Sequence, residues 1–121
     1  MKKQSQLASF RNAFAGIRRT AARERNFRVQ IIIAILAVIA CIVFRVDTFH
    51  FILVVVAIFF VLAMELMNTA VEALVDMYCK NTPHPLAKKA KDTAAGAVLI
   101  ASFMALITGV VVAVSVIGRY I

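Results

Sequence analysis

The sequence has few cysteines, few glycines and few acidic residues, and each shortage excludes a class of protein. Its two cysteines, Cys41 in an apolar run and Cys79 near a basic loop, have no metal-ligand spacing and indicate neither a zinc site nor a disulfide framework. We interpret both as packing residues. A P-loop or a protein-kinase fold needs clustered glycines, and the four glycines here are isolated at Gly16, Gly96, Gly109 and Gly118.

What the chain has in excess is apolar and basic side chains. Of its 121 residues 63% are hydrophobic, whereas soluble domains have roughly 45–50%, so we expect a membrane protein. Fourteen Lys and Arg against six Asp and Glu give a net charge of +8. A basic excess is typical of proteins that bind nucleic acid, anionic lipid or phosphorylated ligands, but the apolar composition argues against a nucleic-acid partner. The length fits one domain, residues 1–121, without a separate soluble catalytic domain.

Three apolar runs are each long enough for a transmembrane helix, which needs about 20 residues to cross the bilayer core. The first run is the shortest, and it qualifies because the long stems of Arg28 and Arg45 can reach the interfaces. The predicted spans are about 28–45, 49–76 and 92–118.

The distribution of basic residues predicts the orientation of these spans. Residues 1–28, including Lys2 and Lys3, hold eight of them and residues 76–92 hold four, whereas the other two connections hold only Arg45 and Arg119. The positive-inside rule places the basic segments in the cytoplasm. The N-terminus is therefore expected inside and the C-terminus outside.

A further helix is predicted before the first span, at about residues 5–25. Arginines occupy the other side of its helical wheel, so it should lie on the cytoplasmic leaflet as an amphipathic helix. It would serve either as a plain membrane anchor or directly in a site. Its apolar face is formed by Leu7, Phe10, Phe14, Ile17 and Ala21. The expected fold is thus an all-α membrane protein with one N-terminal surface helix and three transmembrane helices.

The third span carries small residues at every fourth position, and we call this row the small-residue stripe. Small side chains let helices approach closely in a bilayer, where lipid supplies no hydrophobic driving force between them. The row therefore predicts tight helix packing, within the chain or between chains. It consists of Ala97, Ala101, Ala105, Gly109 and Ala113.

The second span carries the polar side chains that indicate chemistry. At about 100° per residue, Glu65, Asn68, Glu72 and Asp76 fall within about 80° of arc and form a stripe about 16 Å long, which we call the carboxylate stripe. An ionisable group in a span costs at least ~2.5–3.5 kcal/mol on insertion scales and marks a functional site by default. Three carboxylates also repel one another, so either some are protonated or cations lie among them. A divalent ion bridged to phosphate would relieve that repulsion, since Mg²⁺ typically takes one or two carboxylates and leaves its other positions to water and phosphate.

Basic side chains follow the carboxylate stripe. A turn over residues 81–86 leads into a helix whose lysines, Lys88, Lys89 and Lys91, could contact phosphate as point charges, and Asp92 adds an acceptor at the membrane surface. We expect His84, next to Pro85, to be a helix cap or loop residue.

Two residue assignments stay open at this point. Glu24, alone among arginines, is either half of a surface ion pair or an additional metal ligand. The carboxylates could instead be neutralised by Arg25, Arg28 or Lys91 and serve only to assemble helices. The residues alone thus indicate a three-span protein with a cytoplasmic carboxylate and lysine site for metal and phosphate, without naming a reaction.

Three segments resemble the small bacterial membrane lipid kinases, the prokaryotic diacylglycerol kinase and undecaprenol kinase family. The specific element is the spacing E-x-x-N-x-x-x-E-x-x-x-D followed by A-K-D, and length, spans and surface helix agree with it. Where relatives often have an aromatic residue in the surface helix, this chain has Asn12, and its 79–83 loop differs as well. The matching segments are Arg23–Arg28, Glu65–Asp76 and His84–Ala97.

The resemblance implies a role for each matching residue. Glu65 would be the general base that takes the proton from a lipid hydroxyl, and Glu24 and Glu72 would hold Mg²⁺ bound to ATP. The remaining residues of the ATP site, alongside Glu24 and Glu72, would be Asn68, Asp76, Lys91 and Asp92. Such roles suit phosphoryl transfer, which depends mainly on positioning and charge neutralisation. The resemblance also implies a homotrimer in the bacterial plasma membrane, with sites shared between protomers.

Within that family, the Asn26-Phe27-Arg28 segment and the segment from His84 to Lys88 look more like undecaprenol kinases than like proteobacterial diacylglycerol kinases. The expected reaction is therefore ATP-dependent phosphorylation of undecaprenol, with diacylglycerol as the alternative substrate. A different class, a small transporter or scaffold using Glu65 as a proton-coupled or ion-paired group, is less favoured. A transporter needs its charge near the bilayer midplane, whereas the carboxylate stripe extends to the cytoplasmic end of the span.

Overall fold

The structure, a computed structural model, describes residues 5–121, so that Lys2 and Lys3 of the charge count lie outside the described residues. The helices of the described chain are α1 (Gln6–Arg23), α2 (Arg25–Val43), α3 (Thr48–Cys79) and α4 (Pro85–Tyr120). Of these, α2, α3 and α4 are long and apolar enough to cross a membrane. The predicted all-α fold with three transmembrane helices is thereby confirmed.

The helices α3 and α4 extend beyond the predicted spans at both ends, whereas α2 begins before its predicted span and ends before residue 45. With 36 residues, α4 is about 54 Å long at 1.5 Å per residue, and a bilayer core is ~30 Å thick. The charge pattern delimits the part of a helix that crosses lipid, whereas the hydrogen-bonded helix continues into the polar region. The ends of α3 and α4 that bear Asp76 and Lys91 therefore belong to continuous helices rather than to a loop.

A short turn joins α3 to α4 and is stabilised by local hydrogen bonds. Lys80 and Asn81 have left-handed backbone conformations, with φ of 47° and 69°. His84 then caps α4, its Nδ1 accepting a hydrogen bond from the Leu86 amide at 3.1 Å, and Pro85 occupies the first helical turn, where no amide hydrogen is needed. His84 is thus a helix cap, as expected, and the turn places the start of α4 beside the end of α3.

At the opposite end of the molecule, Arg119 ties α4 to the end of α2. Its guanidinium donates hydrogen bonds to the carbonyl oxygens of Arg45, at 2.9 Å, and Phe44. The last carbonyls of a helix lack partners within the helix, so Arg119 supplies donors to the end of α2.

The helices pack mainly through α3, which contacts both α2 and α4. Cys41, Val54 and Val112, one from each long helix, form the buried cluster, which agrees with a packing role for Cys41. In the small-residue stripe Ala101 is fully buried and Ala105 is half-buried, whereas the other three members are exposed. Among residues 5–121, the predicted packing within the chain therefore occurs at the middle of the stripe.

An apolar groove of about 860 Å³ lies between α2 and α4 over α3. Three members of the small-residue stripe, Ala105, Gly109 and Ala113, contribute to its wall on the α4 side. On the α2 side the lining residues begin with Gln30, near the α1–α2 connection, and end with Phe44. The groove thus extends along most of the length of α2.

The apolar face of α1 is directed away from the helix bundle. Leu7, Phe10 and Phe14 are 65–69% exposed, and α1 contributes no buried residue. An exposed row of large apolar side chains on a helix next to membrane spans is typical of a helix that lies on lipid. The structure therefore agrees with a surface helix at this position.

Candidate functional site

The carboxylate stripe of α3 begins at a buried acid. Glu65 is only 4% exposed and is the one buried charged residue in the described part of the chain. Its backbone carbonyl accepts a hydrogen bond from the Thr69 hydroxyl at 3.0 Å. One turn along, the Asn68 side-chain amide donates to Glu72 Oε1 at 2.8 Å. The contact between Asn68 and Glu72 agrees with the prediction that these two side chains share one face of α3.

Gln30 on α2 contacts this buried acid, and sequence reasoning did not single it out. Its Nε2 donates to Glu65 Oε2 at 3.4 Å, and its Oε1 is buried without a hydrogen-bond partner among residues 5–121. The available signal was an isolated amide at the start of an otherwise apolar run, because a buried polar group in a span usually has a partner. The sequence could indicate that Gln30 needs a partner, but not which one.

Glu24 lies in the elbow between α1 and α2, where a single residue with extended backbone, φ −102° and ψ 113°, separates the two helices. Glu24 and Glu72 are near enough for their negative charges to act on the Glu65 carboxyl. The structure thereby brings Glu24 to the carboxylate stripe, 41 residues away in sequence from Glu65. Glu24 is half-buried, and none of the ion pairs seen among residues 5–121 involves it, which differs from the alternative of a surface ion pair.

Arg28 stabilises this elbow. Its Nη1 donates to the carbonyl oxygens of Ala21, at 3.1 Å, and Ala22, at 2.9 Å, which lie in the last turn of α1. Arg28 therefore acts on the end of α1, where carbonyls lack helical partners. These contacts differ from the predicted alternative, in which Arg28 neutralises the carboxylates.

At the far end of the stripe, acids and lysines pair. Lys91 Nζ contacts Asp76 Oδ1 at 2.6 Å, joining α4 to α3, and Lys88 Nζ contacts Asp92 Oδ2 at 2.6 Å along α4. The alternative in which Lys91 neutralises a carboxylate thus applies to Asp76. Both pairs are exposed, so each contributes little to stability and both are accessible to a ligand.

A second cavity, of about 430 Å³, lies beside these ion pairs. The α3–α4 turn forms one part of its wall and the first turns of α4 form another. The residues that bear charge in its lining are Asp76, Lys88, Lys91 and Asp92. Amines, carboxylates and turn backbone thus surround a space open to water, an arrangement that suits a phosphorylated ligand.

The acids can be compared with the needs of a metal ion. In residues 5–121 no group of three or more His, Cys, Asp or Glu side chains comes close enough to form a complete metal site. Mg²⁺ commonly takes only one or two carboxylates and completes its coordination with water and phosphate oxygens. Glu24 and Glu72 both act on Glu65 by their charge, and Asn68 Oδ1 is buried without a hydrogen-bond partner in the described part of the chain. All three residues offer oxygen donors of the kind that Mg²⁺ prefers.

The chain is similar to known proteins over most of its length. Residues 11–113 match the family described as prokaryotic diacylglycerol kinase. A diacylglycerol kinase of Synechocystis sp. is 38% identical over 103 residues, covering 85% of this chain and 59% of that protein, so the chain spans less than two thirds of this relative.

Two other relatives are covered more fully. An undecaprenol kinase of Bacillus subtilis is 36% identical over 104 residues, 86% of this chain and 84% of the relative. A diacylglycerol kinase of Escherichia coli is 33% identical over 96 residues, 79% of this chain and 78% of the relative. The match includes the elbow, the carboxylate stripe and the lysines of α4. The chain therefore belongs to the prokaryotic diacylglycerol kinase family, and the expectation of a membrane lipid kinase is confirmed.

Proposed function

We propose that this protein transfers the γ-phosphoryl group of ATP to the hydroxyl of a membrane lipid alcohol at the cytoplasmic surface of the bacterial plasma membrane. The observation that carries the proposal is the position of Glu65, a 4% exposed carboxyl at one end of a stripe whose other end is the Lys91–Asp76 pair. A base within the span can meet a lipid hydroxyl, while lysine at the membrane surface can meet water-soluble ATP.

In this mechanism Glu65 is the general base. It accepts the proton of the lipid hydroxyl as the lipid oxygen forms a bond to the γ-phosphorus. The bond from that phosphorus to the bridging oxygen of ADP breaks, and its electron pair leaves with ADP. The proton then resides on Glu65 until water takes it. Positioned proton transfer of this kind contributes roughly 10²–10⁴-fold to rate.

The other polar residues of the site hold the nucleotide. Glu24 and Glu72 would hold Mg²⁺, which when bound neutralises charge on the phosphates of ATP. Lys91 provides a cation for a phosphate oxygen, and the cavity beside it has space for part of the nucleotide. Asn68, Asp76 and Asp92 complete the polar lining of this ATP site.

Undecaprenol is the proposed acceptor, and diacylglycerol is the alternative. Both are lipid alcohols with one primary hydroxyl, so the same base serves either. The segments Asn26-Phe27-Arg28 and His84 to Lys88 favour undecaprenol, and relatives of both names match the chain. The proposed orientation places the N-terminus, the elbow and the α3–α4 turn in the cytoplasm and Arg119 outside.

We also propose that the active protein is a homotrimer. Exposed members of the small-residue stripe, such as Gly109 and Ala113, and the apolar groove between α2 and α4 support assembly, because small residues allow close helix contact in lipid. The mass of the protein in detergent, measured by light scattering, should correspond to three chains.

The decisive experiment measures phosphate transfer from labelled ATP by the purified protein in Mg²⁺-containing micelles. Parallel samples contain undecaprenol, diacylglycerol or a triacylglycerol, which has no hydroxyl and serves as the control acceptor. Faster labelling of undecaprenol supports the proposed substrate, and faster labelling of diacylglycerol supports the alternative. Failure of the folded protein to label either alcohol would contradict the kinase proposal and favour the transporter or scaffold.

A further inference from the structure

Gln30 occupies an unusual position for an amide. After Arg28, the sequence of α2 continues Val-Gln-Ile-Ile-Ile-Ala and then stays apolar, so Gln30 is an isolated strong hydrogen-bonding side chain on this helix. It also lines the apolar groove. An amide in such surroundings is unfavourable unless it is hydrogen-bonded. Its placement therefore requires a partner or a function.

The amide has one end engaged and one end free. Nε2 donates to Glu65 Oε2, while Oε1 is buried without a hydrogen-bond partner in the described chain. The 3.4 Å separation is longer than the 2.7–3.2 Å usual for a strong N–H···O bond. Catalytic hydrogen bonds are often long in the absence of substrate and shorten in its presence. The contact is therefore consistent with a group that tightens when the site is filled.

The two ends of an amide suit the two states through which a general base passes. A carboxylate can only accept hydrogen bonds, so it is held by the N–H of Gln30. With Oε2 held, Oε1 of Glu65 is left for the lipid hydroxyl. After proton transfer the carboxylic acid has an O–H to donate, and the free Oε1 of Gln30 is an acceptor that a turn of the amide brings to it.

The neutral charge of Gln30 also suits a residue that holds a general base. Glu24 from the elbow and Glu72 from α3 already act on Glu65 with negative charge. Lys91, from α4, acts on Asp76 and Glu72. A cation at position 30 would form an ion pair with Glu65 and weaken it as a base, and a further acid would add repulsion. A neutral donor orients the carboxylate without either effect.

We propose that Gln30 is a positioning residue that holds the Glu65 carboxylate by its N–H before proton transfer and by its C=O afterwards. This inference rests on the proposed function, since it assumes that Glu65 is the base. Gln30 itself touches no reacting atom. It acts through Glu65, so its removal should affect the chemical step and leave nucleotide affinity unchanged.

The test compares the kinetics of Gln30→Met and Gln30→His in the purified enzyme. Methionine has a similar length but no amide, and we expect kcat to fall about tenfold, as for loss of a hydrogen bond to a charged group, with KM for ATP unchanged. Histidine offers one ring N–H and one acceptor nitrogen, and it should restore at least part of kcat. Gln6→Met, the same substitution at an exposed residue of α1 that lines neither cavity, is the control and should keep wild-type kinetics.

A double variant separates a positioning role from a structural one. In Glu65→Asp the carboxylate is one methylene shorter and out of reach of Gln30, so adding Gln30→Met should cause no further loss. Any of three results would overturn the inference. The first is that Gln30→Met lowers kcat by the same factor in the wild type and in Glu65→Asp. The others are an unchanged kcat in Gln30→Met and a change confined to KM for ATP. If Gln30→Met does not fold, Gln30→Asn, which keeps an amide but shortens it, should show the same fall in kcat. Wild-type protein that phosphorylates no lipid would overturn the proposed function instead.

Discussion

Lys91 and Asp76 are 15 positions apart in sequence, and their side chains meet across α3 and α4 with Nζ and Oδ1 2.6 Å apart. Both side chains are exposed, by 41% and 67%. An exposed ion pair is worth only ~0–1 kcal/mol, so the pair contributes little to stability. The pair instead determines position, because it holds the ammonium group of Lys91 at the Asp76 end of the carboxylate stripe.

Removing the ammonium group of Lys91 should weaken ATP binding, slow phosphoryl transfer, or both. Lys91→Ala should raise KM for ATP, lower kcat, or both, by roughly tenfold or more, because a charge-assisted bond to phosphate is lost. Steady-state kinetics with varied ATP provide the measurement. Lys89→Ala is the control and should keep wild-type values, because the structure places this exposed lysine of the same helix outside the lining of the cavity that Lys88 and Lys91 line. Unaltered kinetics in Lys91→Ala would exclude the phosphate contact.

The base is tested by an isosteric change. Glu65→Gln should lower kcat by about 10²–10⁴-fold, the range for loss of a general base, while binding of a nonhydrolysable ATP analogue with Mg²⁺ stays near the wild-type level. Turnover is measured in lipid micelles and binding by calorimetry. Turnover equal to that of the wild type would remove Glu65 from this role.

Loss of a metal-binding carboxylate should have a different result. Glu72→Gln should raise the Mg²⁺ concentration needed for half-maximal rate, by roughly tenfold or more, since one oxygen donor with full charge is lost. The measurement is the rate as a function of Mg²⁺ at fixed ATP. Asp47→Asn neutralises an acid between α2 and α3 and should leave the Mg²⁺ requirement unchanged. An unchanged requirement in Glu72→Gln would contradict the metal role.

The elbow offers an indirect way to move Glu24. In Arg28→Met the hydrogen bonds to the carbonyls of Ala21 and Ala22 are lost, so the angle between α1 and α2 is less restrained. We expect a several-fold rise in KM for Mg-ATP, because Glu24 lies at that elbow. Arg25→Met is the matched control, because Arg25 is an exposed arginine at the same elbow. Equal effects of the two changes would show that charge, rather than the elbow, is responsible.

The cap of α3 predicts a dependence of stability on pH. Asp47 accepts a side-chain contact from His50 Nδ1 at 2.7 Å and the His50 backbone N–H at 3.2 Å, and these bonds lower the pKa of Asp47 below its ordinary value. A lowered pKa in the folded state gives stability that is full above the unfolded pKa of about 3.9 and is lost as pH falls through the folded value.

The measurement is the Tm of the wild type and of Asp47→Asn in micelles between about pH 6 and pH 3. Asparagine is also a good helix cap but does not titrate at this position. The difference in Tm between the two proteins should therefore be greatest near pH 6 and decrease toward pH 3. A constant difference across this range would show that the hydrogen bonds of Asp47 do not depend on its ionisation.

Much of the fold followed from the sequence because it depends on local periodicity and on the cost of exposing polar groups to lipid. Long apolar runs must form helices in a bilayer, which predicted α2, α3 and α4. Helical geometry alone placed Glu65, Asn68 and Glu72 on one face of α3. Even the cap at His84 followed from the adjacent proline and the turn.

Relations between helices were decided only by the tertiary structure. Nothing local indicates that Gln30 contacts Glu65, that Arg28 turns back to the end of α1, or that Arg119 reaches the carbonyl of Phe44. Such contacts depend on how two helices are rotated and shifted against each other, and side-chain packing sets this rotation and shift. The composition and periodicity of this chain determined which residues share a helix face, and the packing of α2 and α4 on α3 determined which faces meet.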